Sequence, residues 1–139
     1  MLRKLDLADM DAAARVHRAA FDHALPWLAG LHTPAEDRWF FRERVFPACA
    51  VWGMFEYTAM LGLIAFRDDW IDQLYVLPHA QGRGIGTEFL KVAQKSFARL
   101  QLWTFQRNLQ ARCLLCTSGW GRDLTRQECQ PQPSVSILP

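Results

Sequence analysis

The sequence predicts an α/β domain: a mixed central sheet flanked by helices. Three observations predict it. An apolar run from Trp70 to Leu77, rich in β-favouring residues, has the length of one strand. A glycine-rich turn, Gln81-Gly82-Arg83-Gly84-Ile85-Gly86-Thr87, follows and opens a helical pattern, in which Ile85, Phe89, Ala93 and Phe97 recur every four residues with Leu90 alongside. Leu100 to Thr104 is then a second short apolar run, and a helix joining two strands makes them parallel. The chain has 139 residues, half of them apolar, which suits one domain with a real core.

The remaining elements follow in order. Leu2 to Leu5 forms a short first strand. Asp9 reads as an N-cap, and Met10, Ala13, Ala14, His17, Ala20 and Phe21 continue at helical spacing to about Phe21. His17 falls on that apolar stripe and reads as a core or edge histidine rather than a catalytic one. Residues 22–33 form a loop holding Pro26, Trp27, Leu31 and His32. Thr33 can then cap a second helix, with Pro34 at its first position and Glu36 completing a capping box. That helix carries Trp39, Phe40, Phe41, Val45 and Phe46 and is expected to end before Pro47. Ala48 to Glu56 and Ala59 to Phe66 read as strands joined by the turn Tyr57-Thr58, and Asp68-Asp69 marks the next turn. Strict alternation along the following strand puts Trp70, Asp72, Leu74 and Val76 on one side, and Ile71, Gln73 and Tyr75 on the other. The helix after the glycines ends near Leu100, and Arg107 to Arg112 begins another.

Composition excludes several classes. A net charge of +2 argues for neither nucleic acid nor a membrane surface. Lys91, Lys95 and Arg99 lie four apart on one helix face; a solvated face is the favoured reading, and attraction of a polyphosphate is the alternative. No apolar run has the length of a membrane span and no signal-peptide hydrophobic region is evident, so a cytoplasmic protein is the expectation.

The glycine turn carries the chemistry. A helix start has unpaired N–H groups and a partial positive charge, and glycines let a backbone approach a bulky anion. The turn therefore reads as a cradle for a phosphate or pyrophosphate. The dinucleotide fingerprint G-x-G-x-x-G would place its third glycine on Thr87, and no Asp or Glu occurs from Phe89 to Arg122 to meet a ribose. A P-loop needs a lysine after the glycine, where Thr87 stands.

Gln81-Gly82-Arg83-Gly84-Ile85-Gly86, preceded by Tyr75-Val76-Leu77-Pro78, resembles the acyl-CoA loop Q/R-x-x-G-x-G/A of the GCN5-related N-acetyltransferases (GNAT family). The resemblance covers about four-fifths of the chain, as the order of elements to Arg112 matches. It implies the acyl-CoA N-acyltransferase fold and transfer of an acetyl group from acetyl-CoA to a small-molecule or peptide amine by direct attack. Main-chain groups of Gln81, Gly82, Arg83, Gly84, Ile85, Gly86 and Thr87 would hold the pyrophosphate, and those of Leu74, Tyr75 and Val76 the pantetheine arm. Asn108, with Ala111 three residues on, matches a late motif that helps hold CoA. Asp72 is the candidate base. Trp27, Leu31, His32, Trp39 and Phe40 are candidates for the acceptor pocket, although for any one of them packing on the sheet is the favoured reading. No metal is implied. A non-catalytic acyl-CoA-binding module, or an inactive relic, is the alternative.

The resemblance stops in the tail. Residues 1–112 read as the N-acetyltransferase domain and 113–139 as an atypical C-terminal tail. The family's late aromatic pair with its acid tyrosine is missing, since no tyrosine follows Tyr75. Cys113-Leu114-Leu115-Cys116 stands in its place; with no second C-x-x-C and no histidine after His79, incidental thiols are the favoured reading over zinc or redox chemistry. One set of codons for Cys113 to Ser118, read one base on, spells Ala-Phe-Tyr-Ala-Arg-Arg, the kind of sequence the family places here. A C-terminus out of frame from about Cys113 is therefore expected. Three prolines and three glutamines from Gln127 to Pro139 make poor strand material, so the C-terminal strands are expected to be incomplete. Leu102 and Trp103 would then lie at an exposed edge open to another chain, a homodimer included.

Overall fold

The computed structural model describes residues 1–30, 32–68, 70–96, 101–103 and 136–137. Six strands form one sheet in chain order: β1 (Leu2–Lys4), β2 (Ala50–Glu56), β3 (Ala59–Arg67), β4 (Trp70–Val76), β5 (Gln101–Trp103) and β6 (Ser136–Ile137). All neighbours are antiparallel except β4 and β5, which are parallel as a helical crossover requires. The helices are α1 (Met10–Ala24), α2 (Pro34–Phe40), α3 (Phe46–Ala48) and α4 (Ile85–Ser96). None is long and apolar enough to cross a membrane among the described residues.

The sheet separates two apolar layers. On one face α1 and the turn after α2 bury Met10, Ala13, Phe41 and Val45 against Val51, Leu63 and Ala65. On the other, α4 buries Ile85, Phe89, Leu90 and Ala93 against Ile64, Phe66 and Ile71. The spacing of Ile85, Phe89 and Ala93 is the cause, since residues four apart share a helix face. Phe89 comes close because Gly62 lies beneath it. A Cβ on Gly62 would sit 2.7 Å from the Tyr75 carbonyl oxygen and 3.1 Å from the Phe89 ring.

The capping box forms as the sequence predicts: Glu36 N–H donates to Thr33 Oγ1 (3.1 Å), and Thr33 N–H to Glu36 Oε1 (3.0 Å). The Tyr57 turn forms too, with Tyr57 at φ 57°. Asp9 stands at the start of α1 but makes no side-chain cap there; its carboxylate is held by Arg3 at 2.9 and 3.0 Å instead.

Three expectations need correction. The second helix does not end before Pro47. A π turn, Phe41–Val45, follows α2 and runs into α3, which contains Pro47. Proline at the head of that last turn lacks a donor that would have had no place in a displaced ladder. Strict alternation in β4 also fails. Gln73 pairs with Ala65 and Ile71 with Phe66, so Asp72 is an extra residue, a β-bulge. Ile71 therefore joins Leu74 in the α4 layer, while Gln73 and Tyr75 face α1 by register with Ala65 and Leu63. Lastly, Leu102 and Trp103 are not an unpaired edge: β6 pairs Ile137 with Leu102 and Ser136 with Trp103. The chain's last residues escape its proline-rich stretch and include Val135, Ile137 and Leu138, which favour strands.

Candidate functional site

The site begins at the parallel pair of β4 and β5. β4 pairs with β5 only through Trp70 with Gln101 and Ile71 with Leu102. From Asp72 on, the β5-facing main chain of β4 has no ladder partner among the described residues. A bulge bends a strand and increases its local twist, and Asp72 supplies one at this point. Gln73 to Val76 form the stretch of β4 beyond that bulge.

That stretch runs into the glycine turn. Leu77 N–H donates to Leu61 O (2.8 Å), and a short turn Pro78–Ala80 follows. Gln81 braces the loop: its side-chain Nε2 donates to Val76 O at 3.1 Å. Gly82 and Gly84 then take φ of 80° and 81°, and a Cβ at either would meet nothing within 4 Å. These glycines are required by conformation, and their outer side is open. The first bond of α4 runs from Glu88 N–H to Gly84 O (3.1 Å), so the N–H groups of Ile85, Gly86 and Thr87 stand ahead of the ladder. With the helix dipole behind them they suit an anion. Arg83 is exposed and pairs with Glu56 at 3.1 Å, so an anion would compete with Glu56 for it.

Asp72 sits at the opposite end of β4 from the loop. Its Oδ2 meets Arg67 Nε at 2.9 Å and accepts from Cys49 Sγ at 3.3 Å. Burial and the neighbouring carboxylate push the Cys49 thiol up to about 12, so it stays a thiol and a donor.

The histidine that the sequence puts on the apolar stripe of α1 faces the sheet. His17 meets the Tyr75 ring edge-on at 4.6 Å and also touches Phe41 (5.3 Å) and Phe21 (5.7 Å). Burial, then Arg18, lowers His17 to about 4, so its imidazole is neutral near pH 7. Burial likewise raises the Tyr75 phenol and keeps it protonated. Next to His17, Arg18 holds Asp37 through two bonds of 2.7 and 2.8 Å and Asp22 through one of 3.1 Å. Only the position of His17 on an apolar stripe hinted at this cluster.

The aromatic acceptor candidates lie further out. Trp27, Trp39 and Phe40 are exposed, and Trp39 stacks with Arg44 at 5.5 Å. Phe40 touches Phe41, which touches His17, so it borders the buried cluster. His32 is exposed and 3.5 Å from Glu36. Leu31 and Asn108 lie outside the described residues, as do Cys113 and Cys116. Among the described residues no group of His, Cys, Asp and Glu could hold a metal.

A family model, the acetyltransferase (GNAT) family, matches residues 12–115. No curated protein matches by sequence. Solved structures do match by fold. The PaiA N-acetyltransferase of Thermoplasma acidophilum, in complex with coenzyme A, has TM-score 0.72 at 16% identity, covering 99% of this chain and 96% of its own. A GNAT-family acetyltransferase of Staphylococcus aureus reaches TM-score 0.77 at 10% identity, with 99% and 96% covered. A GCN5-related N-acetyltransferase of Ralstonia eutropha is 27% identical, with TM-score 0.54, 70% of this chain and 75% of that one covered. The family match spans β4, the glycine turn and α4, and on it this chain belongs to the GNAT family of acetyltransferases.

Proposed function

We propose that this protein transfers an acetyl group from acetyl-CoA to an amine, the amine attacking the thioester carbon directly. One observation carries the reading: β4 leads through Leu77 and the turn Pro78–Ala80 into an open glycine turn at a helix start. An extended arm ending in a pyrophosphate fits that sequence of groups. The N–H groups from Gln81 to Thr87 receive the pyrophosphate, and main-chain groups of Leu74, Tyr75 and Val76 pair with the pantetheine. Val76 O is shared with Gln81, so the Tyr75 and Leu74 levels supply most of the pairing. Asn108 adds a contact to CoA, as the resemblance implies.

The nitrogen lone pair forms the new C–N bond, the C–S bond breaks, and the amine loses one proton while the thiolate gains one. Holding both reactants together supplies much of the rate. Asp72 is assigned the amine proton, taken through water on Oδ1, because Oδ2 is engaged by Arg67 and Cys49.

Thermal shift with CoA and with acetyl-CoA tests the donor site. Release of free thiol from acetyl-CoA in the presence of amines tests transfer. Binding without any amine-dependent thiol release would favour the non-catalytic acyl-CoA-binding module instead.

A further inference from the structure

Arg83 is the only charged residue of the glycine turn, residues 81–87, and stands between Gly82 and Gly84, both at positive φ. Its charge is already engaged: Arg83 Nη1 donates to Glu56 Oε2 at 3.1 Å. Glu56 is the last residue of β2, 27 positions back in the chain.

The sheet brings the two together. Phe55 pairs with Met60 and Met54 with Gly62, so Leu61 is an extra residue on β3, a second bulge. That bulge is anchored twice. Leu61 O accepts from Leu77 N–H at 2.8 Å, and the Leu61 side chain is buried in one apolar layer with Ile85 and Phe89 of α4. The end of the β2–β3 hairpin is therefore fastened both to the chain entering the glycine turn and to the helix leaving it. Glu56 reaches Arg83 from that frame.

Both side chains are about half exposed, so the pair adds little to stability. Its effect falls on the anion site instead. A phosphate that takes the Arg83 guanidinium must displace the Glu56 carboxylate. The freed carboxylate then stands as a like charge near the phosphate. An unpaired arginine would impose neither cost.

We propose that Glu56 is an acidic latch on the donor loop. It holds Arg83 in the free protein and yields it to the phosphates of the donor, so it sets donor affinity below what the turn and Arg83 alone would give. This rests on the reading of the turn as the acyl-CoA phosphate site.

Calorimetry on the full chain in low-salt buffer tests it, with CoA and with phosphate-free pantetheine as probes. Glu56→Gln should tighten CoA about two- to fivefold. It should leave pantetheine affinity and Tm unchanged. Glu56→Ala serves as a second variant and should act alike. Arg83→Gln should weaken CoA, and in that background Glu56→Gln should bring a smaller gain, because the latch acts through Arg83. A gain as large without Arg83 as with it would show a general charge effect and overturn the proposal. So would unchanged CoA affinity in both Glu56 variants, or an equal gain for pantetheine. The unmodified chain is titrated alongside. If it binds no CoA, the turn is not the phosphate site and the latch falls with it; if it binds CoA and the Glu56 variants match it, only the latch falls.

Discussion

Arg18 grips Asp37 with a two-pronged ion pair, Nε to Oδ2 at 2.8 Å and Nη2 to Oδ1 at 2.7 Å, and so ties α1 to α2. Both side chains are nearly buried, at 17% and 7% exposed. Burial alone would raise the Asp37 carboxyl, but Arg18 outweighs it and holds the group below the usual carboxylate range. Removing one partner strands the other charge. Asp37→Ala should cost about 3–5 kcal/mol in urea unfolding, and Arg18→Met with Asp37→Leu together should cost less than either alone. The pair's contribution is complete above pH 3.8 and is lost as pH falls through the lowered value. A double-mutant cycle with no coupling would show that the pair does not join the two helices.

His17 gives a second pH signature. Its ordinary value of 6.5 falls to about 4 in the fold, through burial first and Arg18 second, against Asp37 and Asp22. Between those values the unfolded chain takes up a proton that the folded chain refuses. Stability should therefore fall as pH drops from 6.5 to 4, by an amount on the order of 3 kcal/mol. His17→Phe should remove that slope and leave the carboxylate-driven loss at lower pH. Urea midpoints of both proteins at pH 7 and pH 4.5 decide it; equal changes would mean that His17 is protonated in the fold.

The glycine turn is tested through Gly84. At φ 81° a β-branched residue is strained, but nothing within 4 Å would clash with its Cβ. Gly84→Val should keep the fold, with a loss of about 1–2 kcal/mol, and abolish acyl-CoA binding in calorimetry. Unchanged affinity in the folded variant would remove the turn from the donor site.

How much of this was legible follows element by element. The Thr33 capping box, the Tyr57 hairpin turn and the helix after the glycines could all be read, because each depends on residues within a few positions of one another. Asp72 could not. Alternation assumes one residue per ladder step, and an extra residue shows only against the partner strand, here as Gln73 and Ile71 facing the consecutive Ala65 and Phe66. Pro47 misled for a related reason: proline forbids a regular ladder, yet the π turn before it has already displaced that ladder. The meeting of His17 with Tyr75 is tertiary, and no local pattern encodes it. On the acceptor side, aromatic character singled out Trp39 and Phe40, whereas burial falls on Phe41.

That difference between neighbours is measurable. Phe41 is fully buried, and Trp39 is 55% exposed over Arg44. Phe41→Ala should cost about 3–5 kcal/mol. Trp39→Ala should cost about 0.5 kcal/mol or less, and should alter amine preference rather than acetyl-CoA affinity if it shapes the acceptor entrance. A large stability loss at Trp39 would make it a packing residue.

Asp72 carries the last prediction. The residue does three things at one place: it is the extra residue against β3, it follows the last β4–β5 pair among the described residues, and it anchors Arg67 and Cys49. Deleting it would leave Ile71 next to Gln73, each still facing its present partner and its present side. The β3–β4 ladder would become regular at no cost in burial. What would be lost is the bend. A straightened β4 would carry Gln73 to Val76, and the glycine turn behind them, off their present course. The deletion variant should therefore unfold in urea near the parent midpoint yet bind CoA at least tenfold more weakly. Asp72→Asn, which keeps the bulge, should bind CoA normally and lose transfer rate if its carboxylate takes the amine proton. If the deletion variant folds and still binds CoA with the parent affinity, the bulge is not what positions the donor site.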